Sequence, residues 1–344
     1  MPKNSSEKTR IINLLIERIG EAPADFSAKA FSAEQGVSLK TVYRYLQELE
    51  ENGLITITAS GRKNDYRLVE ISYEVTMGIG EFSEDLVWKR HVEPFFADLP
   101  AIAKANLGIA FTEMLNNAID HSQGTKATIH LIKNGFEANA IIMDDGIGIF
   151  RKITDAMKLE DKSFAILELA KGKFTTEPDT HSGQGVFFSS KMVDDFAIIS
   201  EGLIFLGPTS AADPYLDSIE SSGKGTTVFM GIKYSHSQTA QAVYDDFAGS
   251  LNDYSFSKTI VPVRLLEYGN ERPLVVSRSQ AKRLIVRFER FRNIILDFEG
   301  IDSIGQGFAD ELFRVFAGQH PASKLIPVNC NQAVQAMINR VQAL

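Results

Sequence analysis

Four polar side chains recur at helical spacing in the segment Glu113–His121. Asn116, Asn117 and Asp120 follow Glu113 at intervals of three, four and seven residues, so a helix would carry all four on one face. The neutral amide oxygen of Asn117 is a suitable Mg²⁺ ligand when phosphate groups supply the remaining oxygens. Glu113, one turn earlier, could accept a proton from an attacking water or hydroxyl group, and Asp120 is a further candidate contact to the cofactor. The same spacing also fits the solvated face of an ordinary amphipathic helix, and this segment alone leaves both interpretations open.

A second chemical feature is the point where an apolar run, beginning at Ala140, ends in a pair of carboxylates and two glycines. The run predicts a buried strand, and Asp144 at its end is placed to accept a hydrogen bond from the amino group of adenine. Gly146 and Gly148 allow the backbone to turn sharply and to lie close to a flat base. The alternative is a plain turn, because Asp-Gly is among the commonest turn pairs.

Small residues precede a third element, a helix predicted to begin near Val186. Gly183, Gln184 and Gly185 would leave backbone N–H groups exposed at the N-terminus of that helix. Exposed N–H groups and the positive helix end bind phosphate oxygens. A Gly-x-Gly sequence is common, so this feature gains weight only beside the others.

Two further segments complete the candidate site. Lys171–Thr176 is basic and has the character of a lid over a triphosphate, which makes Lys173 a candidate phosphate ligand. Thr226 lies where a predicted strand begins, so its hydroxyl group could reach the base or a water bound to it. Both segments therefore extend the prediction of a nucleotide site.

In this order and spacing the features resemble the ATP-binding domain of the GHKL superfamily, which histidine kinases, gyrase, heat-shock chaperones and mismatch-repair ATPases share. The resemblance covers about Glu84 to Lys233. Within it, Ser182-Gly-Gln-Gly185, followed by Phe187, is similar to the second glycine loop of the anti-sigma-factor serine kinases. The resemblance implies a Bergerat-type α/β sandwich that binds Mg-ATP.

The resemblance also implies roles for individual residues. It assigns Mg²⁺ to Asn117, the general base to Glu113, adenine to Asp144, and the loops around the nucleotide to Gly146, Gly148, Gly183 and Gly185. A sensor histidine kinase fits poorly, because the stretch from Val69 to Ile102 is too short for a two-helix dimerisation hairpin. His91 in that stretch lacks the usual acidic neighbour.

The N-terminal 70 residues predict three helices followed by a hairpin, and Gly36–Ile55 resembles the helix-turn-helix of winged-helix transcription regulators. The resemblance implies contacts with DNA from two places. These are the helix face with Lys40, Thr41, Tyr43 and Arg44, and the wing with Arg62 and Lys63. Ten basic and ten acidic residues balance in this segment, so DNA affinity would come from a local patch. A winged helix used for protein contacts is the alternative.

The C-terminal segment Asn293–Phe308 predicts a buried strand, a turn and the start of a helix. It resembles STAS-like domains, relatives of the anti-anti-sigma factors that anti-sigma serine kinases phosphorylate, over about 255–344. The phosphoacceptor serine of that family falls at Ile304, so the usual phosphorylation has no acceptor there. The adjacent Ser303 would need a shifted geometry, and the favoured interpretation is a docking or dimerisation domain.

The remaining patterns outline three units, 1–70, 71–235 and 236–344, in a multidomain α+β chain. Predicted helices are Ala28–Gln35, Leu39–Asn52, Leu86–Ala97, Ile102–His121, Val186–Asp194, Gln280–Arg290, Gln306–Ala317 and Asn331–Ala343. Predicted strands are Leu54–Thr58, Asp65–Val69, Lys126–Ile132, Ala138–Met143, Phe196–Ser200, Gly202–Phe205, Thr226–Lys233, Thr259–Leu265, Ile294–Phe298 and Lys324–Val328. Pro208–Gly223 is expected to leave the sheet as an exposed excursion.

Composition narrows the functional classes. A chain of 344 residues with net charge −8 and a single cysteine, Cys330, forms no internal disulfide and does not coat nucleic acid along its length. No apolar run reaches the roughly 18 residues of a membrane span, so we expect a cytoplasmic protein without membrane partners.

The combination predicts a Mg-ATP-controlled transcription regulator, with DNA and a protein partner or a second copy of the chain as binding partners. Two alternatives stay open: a protein serine/threonine kinase acting on a partner in trans, and a slow ATPase that times self-association. The three differ in the fate of ATP, which the sequence does not determine.

Overall fold

The computed structural model describes residues 2–60, 63–174, 183–207, 224–250, 253–267 and 274–343. Within them the chain is a mixture of helices and strands with four separate sheets, as expected for a multidomain α+β protein. No helix of these described residues is long and apolar enough to cross a membrane. The predicted excursion Pro208–Gly223 lies outside the described residues.

The N-terminal unit is three helices and a two-stranded antiparallel sheet: α1 (Pro2–Glu21), α2 (Ala28–Gln35), α3 (Leu39–Glu51), β1 (Ile55–Ser60) and β2 (Lys63–Leu68). Ser38 caps α3, because its Oγ accepts a hydrogen bond from the backbone N–H of Thr41 at 3.2 Å. Leu15 of α1 and Leu46 of α3 are buried in one hydrophobic core. The hairpin strands pair as far as Ser60 and Lys63, so the connecting turn is shorter than the sequence predicted.

The central unit is built on a six-stranded antiparallel sheet with strand order β3-β4-β5-β8-β6-β7. Its strands are β3 (Ile71–Gly78), β4 (Lys126–Lys133), β5 (Glu137–Asp144), β6 (Asp195–Ser200), β7 (Leu203–Leu206) and β8 (Thr227–Lys233). Alternate residues of β4 and β5 are buried, which is the pattern of strands with one covered face. The edge strand β3 was not predicted, because most of its residues are exposed and its alternation is weak.

Helices cover this sheet: α4 (Glu84–Val87), α5 (Glu93–Phe95), α6 (Ala101–His121), α7 (Ile149–Met157), α8 (Phe164–Lys171) and α9 (Gly185–Met192). A π-helical turn, Trp88–Val92, joins α4 to α5, where the sequence predicted one regular helix. The long helix α6 begins directly after Pro100 and contacts β5, β8 and α9. Helices α7 and α8 were not predicted from the sequence.

The C-terminal unit holds a three-stranded parallel sheet, ordered β11-β12-β13, and a short antiparallel pair. Its strands are β9 (Ala248–Ser250), β10 (Asp253–Phe256), β11 (Lys258–Pro262), β12 (Asn293–Asp297) and β13 (Lys324–Val328). Its helices are α10 (Ala240–Phe247), α11 (Arg278–Ile285), α12 (Gln306–Asp310), α13 (Ala317–Gln319) and α14 (Gln332–Gln342). A π-helical segment, Glu311–Phe316, joins α12 to α13.

The described residues form four sheets but only two hydrophobic cores. The N-terminal unit has a core of its own, whereas one continuous core runs from the central sheet into the C-terminal sheet. The aromatic pair Phe187 and Phe256 marks this continuity, with ring centroids 4.4 Å apart. The predicted boundary at residue 235 therefore separates two sheets but not two independently buried cores.

Candidate functional site

A cavity of about 1120 Å³ lies between the central sheet and the helices that cover it. This empty volume includes space at the mouth, and pockets for small ligands span roughly 300–1,000 Å³. Seven of the eleven residues predicted for a nucleotide site line it: Glu113, Asn117, Asp144, Gly148, Gly183, Gly185 and Thr226. The fold thus brings together side chains and loops from α6, β5, α9 and the start of β8.

Helix α6 forms one wall of the cavity. Glu113 and Asn117 both line it, with Glu113 exposed and Asn117 half-buried. Gly185, the first residue of α9, lies so close that a Cβ atom there would stand 2.5 Å from Glu113 Oε2. The two walls therefore touch at Glu113, and a side chain at position 185 would displace the carboxylate.

The predicted polar face of α6 is only partly directed at the cavity. Asn116 and Asp120 are not among its lining residues, and Asp120 is exposed. The lining row continues from Asn117 to Ala118 and His121, because four residues complete slightly more than one helical turn. Asp120, which the sequence predicted to contact the cofactor, therefore lies beside the row of lining residues and not in it.

Asp144 ends strand β5 at the floor of the cavity. Its Oδ1 accepts hydrogen bonds from the backbone N–H groups of Gly146, at 2.9 Å, and Thr226, at 3.3 Å. Burial raises the pKa of the Asp144 carboxyl group above its ordinary value, and these two N–H donors oppose the shift. The two backbone N–H groups and the Thr226 hydroxyl therefore hold the carboxylate in place at the end of β5.

The neighbouring carboxylate, Asp145, hydrogen-bonds the start of β4 and does not line the cavity. Its Oδ1 accepts hydrogen bonds from the backbone N–H groups of Thr125, at 2.7 Å, and Lys126, at 3.0 Å. Its Oδ2 accepts from the Thr125 hydroxyl at 2.7 Å. These bonds, the hydroxyl first, lower the pKa of Asp145 to about 2. Asp145 fixes the start of β4 and does not line the cavity.

The first glycine loop uses its two glycines in different ways. A Cβ at Gly146 would lie 2.1 Å from the carbonyl oxygen of Ser122, so this glycine is required by close packing on the end of α6. Gly146 is buried behind the cavity and does not line it, although the sequence predicted contact with a ligand. Gly148 has φ +85° and is the N-cap of α7, and the N–H of the next residue, Ile149, donates to Thr226 Oγ1 at 3.1 Å.

The second glycine loop reaches the cavity through Gly183 and Gly185. Gly183 has φ +68°, and a Cβ there would lie 2.4 Å from the carbonyl oxygen of Phe174. Gln184 is the N-cap of α9 but is not a lining residue. His181 and Ser182, which belong to the sequence motif, lie outside the described residues.

The basic residues predicted to form a lid are directed elsewhere. Lys171 is fully buried, and its Nζ lies 2.6 Å from Glu168 Oε1. Lys173 donates from Nζ to the carbonyl oxygen of Arg290 at 2.9 Å and does not line the cavity. The contacts of Lys171 and Lys173 thus link this stretch to neighbouring side chains and to the C-terminal unit. The end of the predicted lid, Thr175–Thr176, lies outside the described residues.

Sequence reasoning missed several residues that line the cavity. Lys152 on α7 is the most consequential, since it supplies a cation to the wall, and its Nζ donates to the carbonyl oxygen of His121 at 3.3 Å. The apolar part of the lining comes from Met114, Ala118, Ile142, Ile149, Ile153, Leu169, Phe174, Val186, Phe187, Ile198 and Val228. The alternation in β5 could have identified Ile142, but no pattern pointed to Lys152, because α7 itself was unpredicted.

Within the described residues no group of three or more His, Cys, Asp or Glu side chains could hold a metal ion. The oxygen donors of α6 at the cavity are Glu113 and Asn117. Mg²⁺ is often bound by one or two protein oxygens together with substrate phosphates and waters. The donor set therefore fits a magnesium ion that arrives with a phosphate-bearing ligand, and not a metal held by the protein alone.

The predicted DNA-contacting residues of α3 share one surface. Lys40, Tyr43 and Arg44 are exposed, and Tyr43 retains 48% of its accessible surface. Thr41 is half-buried, and its Oγ1 lies 2.8 Å from the Oγ of the capping Ser38. On the hairpin Lys63 is exposed, whereas Arg62 lies outside the described residues.

In the C-terminal unit the position of the family phosphoacceptor is closed. Ile304 is 4% exposed and forms an isolated parallel bridge with Val275. Ser303 is exposed beside it, immediately before the helix that starts at Gln306. An apolar side chain thus packs where a phosphoacceptor hydroxyl would have to be free.

The comparisons with known proteins concern this last unit. No curated protein matches the chain. Residues 280–335 match the family described as "STAS-like domain of unknown function (DUF4325)". The match spans α11, β12, α12 and β13 and confirms the sequence prediction for this region. The C-terminal unit of this protein therefore contains a STAS-like domain.

Proposed function

We propose that residues 71–235 form a Bergerat-type ATP-binding domain and that the chain is a Mg-ATP-controlled regulator of transcription. The observation that carries the proposal is the convergence of Glu113, Asn117, Asp144, Gly148, Gly183, Gly185 and Thr226 on one cavity. These residues come from segments distant in sequence, and their types suit the binding of a base, a phosphate chain and Mg²⁺.

The base end of the proposed site is centred on Asp144. Its Oδ1 accepts from two backbone N–H groups, and we propose that Oδ2 accepts a hydrogen bond from the amino group of adenine. Ile142, Ile198 and Val228 of the sheet provide an apolar floor for a flat base. Thr226 Oγ1 accepts from Ile149 N–H, and the Thr226 hydroxyl hydrogen-bonds the Asp144 carboxylate, so Thr226 would support the contact to the base through Asp144.

The phosphate end of the proposed site lies between α6 and the N-terminus of α9. Gly183 and Gly185 keep side chains away from this helix end, where backbone N–H groups and the helix dipole favour negative charge. Lys152 adds a cation to the same cavity. Asn117 would hold the Mg²⁺ that accompanies the triphosphate, and bound Mg²⁺ would neutralise phosphate charge. Glu113, exposed at this wall, is positioned to take a proton from a nucleophile.

The N-terminal unit supports the transcription part of the proposal. We propose that it is a winged helix whose α3 enters the major groove of DNA, with Lys40, Tyr43 and Arg44 as the contacting side chains. The exposure of these three residues on one surface supports DNA contact over a role limited to folding. Nucleotide binding would alter DNA affinity only if the two states of the chain differ in affinity for ATP.

The second candidate function is a protein serine/threonine kinase acting on a partner in trans, or a slow ATPase. The exposure of Glu113 at the cavity favours turnover of some kind, because water or a partner hydroxyl group can approach it. Phosphorylation of the chain's own STAS-like domain at the family position is disfavoured, since Ile304 is buried there.

Calorimetry with Mg-ATP tests the central proposal. We expect the purified chain to bind Mg-ATP, and Asn117→Ala to lose the Mg²⁺-dependent part of the binding heat, because the metal loses its protein oxygen. Asn116→Ala is the matched control, since the neighbouring amide does not line the cavity. Absence of binding heat in the parent chain would refute the proposal. Incubation with labelled ATP distinguishes the candidate functions. Release of free phosphate would indicate an ATPase, and labelled phosphoprotein would indicate a kinase. The absence of both products would indicate a regulator that binds ATP without cleaving it.

DNA binding by the proposed winged helix gives a second prediction. Lys40→Ala combined with Arg44→Ala should weaken DNA binding and reduce the slope of log K against log salt by about 2, one for each lost phosphate contact. Binding titrations at several salt concentrations measure the slope. Lys8→Ala combined with Arg18→Ala is the control, because it removes two cations of the same unit that pair with Glu48 and Glu34. Equal slopes for both double variants would favour protein contacts for this unit.

A further inference from the structure

The wall of the cavity opposite α6 is made by the chain as it leaves α8. Gly172 and Phe174 both line the cavity, and Gly183 packs against the backbone of Phe174. Gly172 has φ +77°, a conformation that only glycine adopts without strain. The position of these residues therefore determines the shape of the cavity at this side.

A buried ionic cluster from two units holds this wall. Lys171 Nζ lies 2.6 Å from Glu168 Oε1, and Arg287 of the C-terminal unit donates from Nη1 to Glu168 Oε2 at 2.9 Å. The side chains of Lys171, Glu168 and Arg287 are 0%, 3% and 9% exposed. Lys171 Nζ also donates to the carbonyl oxygen of Val286 at 3.2 Å. Charges so fully removed from water require partners, and here the partners come from both units.

Arg287 connects this cluster to the cavity wall itself. Its Nη2 donates to the carbonyl oxygen of Gly172, and its Cζ lies 5.4 Å from the centroid of the Phe174 ring. Arg287 has φ +67° at the turn between α11 and the 3₁₀ segment Phe288–Arg290. The guanidinium group of one residue thus contacts two consecutive parts of the wall from outside the cavity.

Two more contacts fasten the same stretch to the C-terminal unit. Lys173 Nζ donates to the carbonyl oxygen of Arg290 at 2.9 Å, and the buried Thr259 hydroxyl donates to the carbonyl oxygen of Lys171 at 2.8 Å. On the neighbouring wall Phe187, which lines the cavity, packs against Phe256 with the two rings tilted. Every residue from Lys171 to Phe174 is therefore in contact with the C-terminal unit.

From these contacts we infer that Arg287 is a positioning residue for the nucleotide cavity. We also infer that nucleotide binding is coupled to the docking of residues 283–291 on the cavity wall at Gly172 and Phe174. This segment, 283–291, runs from the end of α11 through the 3₁₀ turn. Arg287 does not touch the ligand; it acts through Gly172 and Phe174. The inference rests on the proposed nucleotide function. Because coupling free energies are reciprocal, a nucleotide that uses this wall must also stabilise the docked segment. The STAS-like domain would then sense the state of the cavity through this one turn.

Calorimetry of the Arg287→Met variant tests whether Arg287 positions the wall of the nucleotide cavity. Methionine keeps the length of the apolar stem, and Glu168 keeps Lys171 as its partner, so no carboxylate is left buried without a cation. We expect Mg-ATP binding about 10-fold weaker than in the parent chain, within the 5- to 150-fold range of typical coupling. Arg314→Met is the matched control, because that arginine pairs with Asp310 inside the C-terminal unit.

Amide hydrogen exchange of the parent chain tests the second half and needs no variant. The N–H groups of Arg290 and Phe291 donate within the 3₁₀ turn, so their exchange reports whether segment 283–291 is docked. We expect Mg-ATP to slow their exchange about 10-fold in the parent and not in Arg287→Met. Equal nucleotide affinity of Arg287→Met and Arg314→Met, or exchange unaffected by nucleotide in the parent, would overturn the inference alone. Absence of nucleotide binding to the parent would overturn it together with the proposed function.

Discussion

Asp144→Asn is expected to weaken ATP binding roughly 100-fold, as fits the loss of a charge-assisted hydrogen bond. The backbone N–H groups of Gly146 and Thr226 hold one carboxylate oxygen, and an asparagine would turn its amide oxygen to them. Its NH₂ group would then face the amino group of adenine, donor against donor. Calorimetry with ATP and with inosine triphosphate, which has a carbonyl oxygen in place of that amino group, measures the effect. The variant should lose the preference for ATP.

Asp145→Asn is the matched control for this substitution. Asp145 bonds to Thr125 and Lys126 and does not line the cavity, so its variant should lower stability but leave the preference for ATP unchanged. Because burial raises the pKa of Asp144, its carboxylate takes up a proton at a higher pH than an ordinary aspartate does. ATP affinity should therefore fall as the pH is lowered through this raised pKa. Unchanged purine selectivity in Asp144→Asn would remove this residue from the base-binding role.

Glu113→Gln is expected to retain nucleotide binding and to reduce any turnover of ATP by roughly 10²–10⁴. Glutamine preserves the size of the side chain beside Gly185, so the two walls of the cavity should keep their contact. The amide cannot accept the proton of an attacking water or hydroxyl group, and the loss should therefore appear in turnover and not in affinity. Phosphate release or phosphoprotein formation, measured beside calorimetry, separates the two effects.

Asp120→Asn makes the same chemical change on the same helix, at a residue that is exposed and does not line the cavity. Its turnover should match that of the parent chain. If Glu113→Gln and Asp120→Asn turn over ATP equally, the proton acceptor is another group. Should the parent release no phosphate and form no phosphoprotein, Glu113 has no reaction to serve, and the binding-regulator branch of the proposal gains support.

Local sequence patterns determined the elements that carry the candidate site. Apolar residues at helical spacing predicted α6, and the alternating run before Asp144 predicted β5, because both patterns reflect one buried face. The glycines at 148 and 183 adopt positive φ, which their residue type permits. The strand and helix of the segment 293–308 were likewise predicted, and the match of residues 280–335 to the STAS-like family confirms that region.

Other features depended on partners distant in sequence. Lys171 and Lys173 are basic residues beside a predicted phosphate site, yet Glu168 and the carbonyl oxygen of Arg290 take their ammonium groups. The edge strand β3 is recognisable only by its pairing with β4. Gly146 is required by an approach to Ser122 that follows from the packing of α6 on the loop.

The chain by itself therefore determined which residues could do chemistry and which elements carry them, since propensity and periodicity act over a few residues. The tertiary structure decided which of two adjacent carboxylates faces the cavity, where each lysine finds its partner, and that the central and C-terminal units share one core. These outcomes depend on burial and hydrogen bonding between segments far apart in sequence. Such long-range contacts leave no periodic signal in the local pattern.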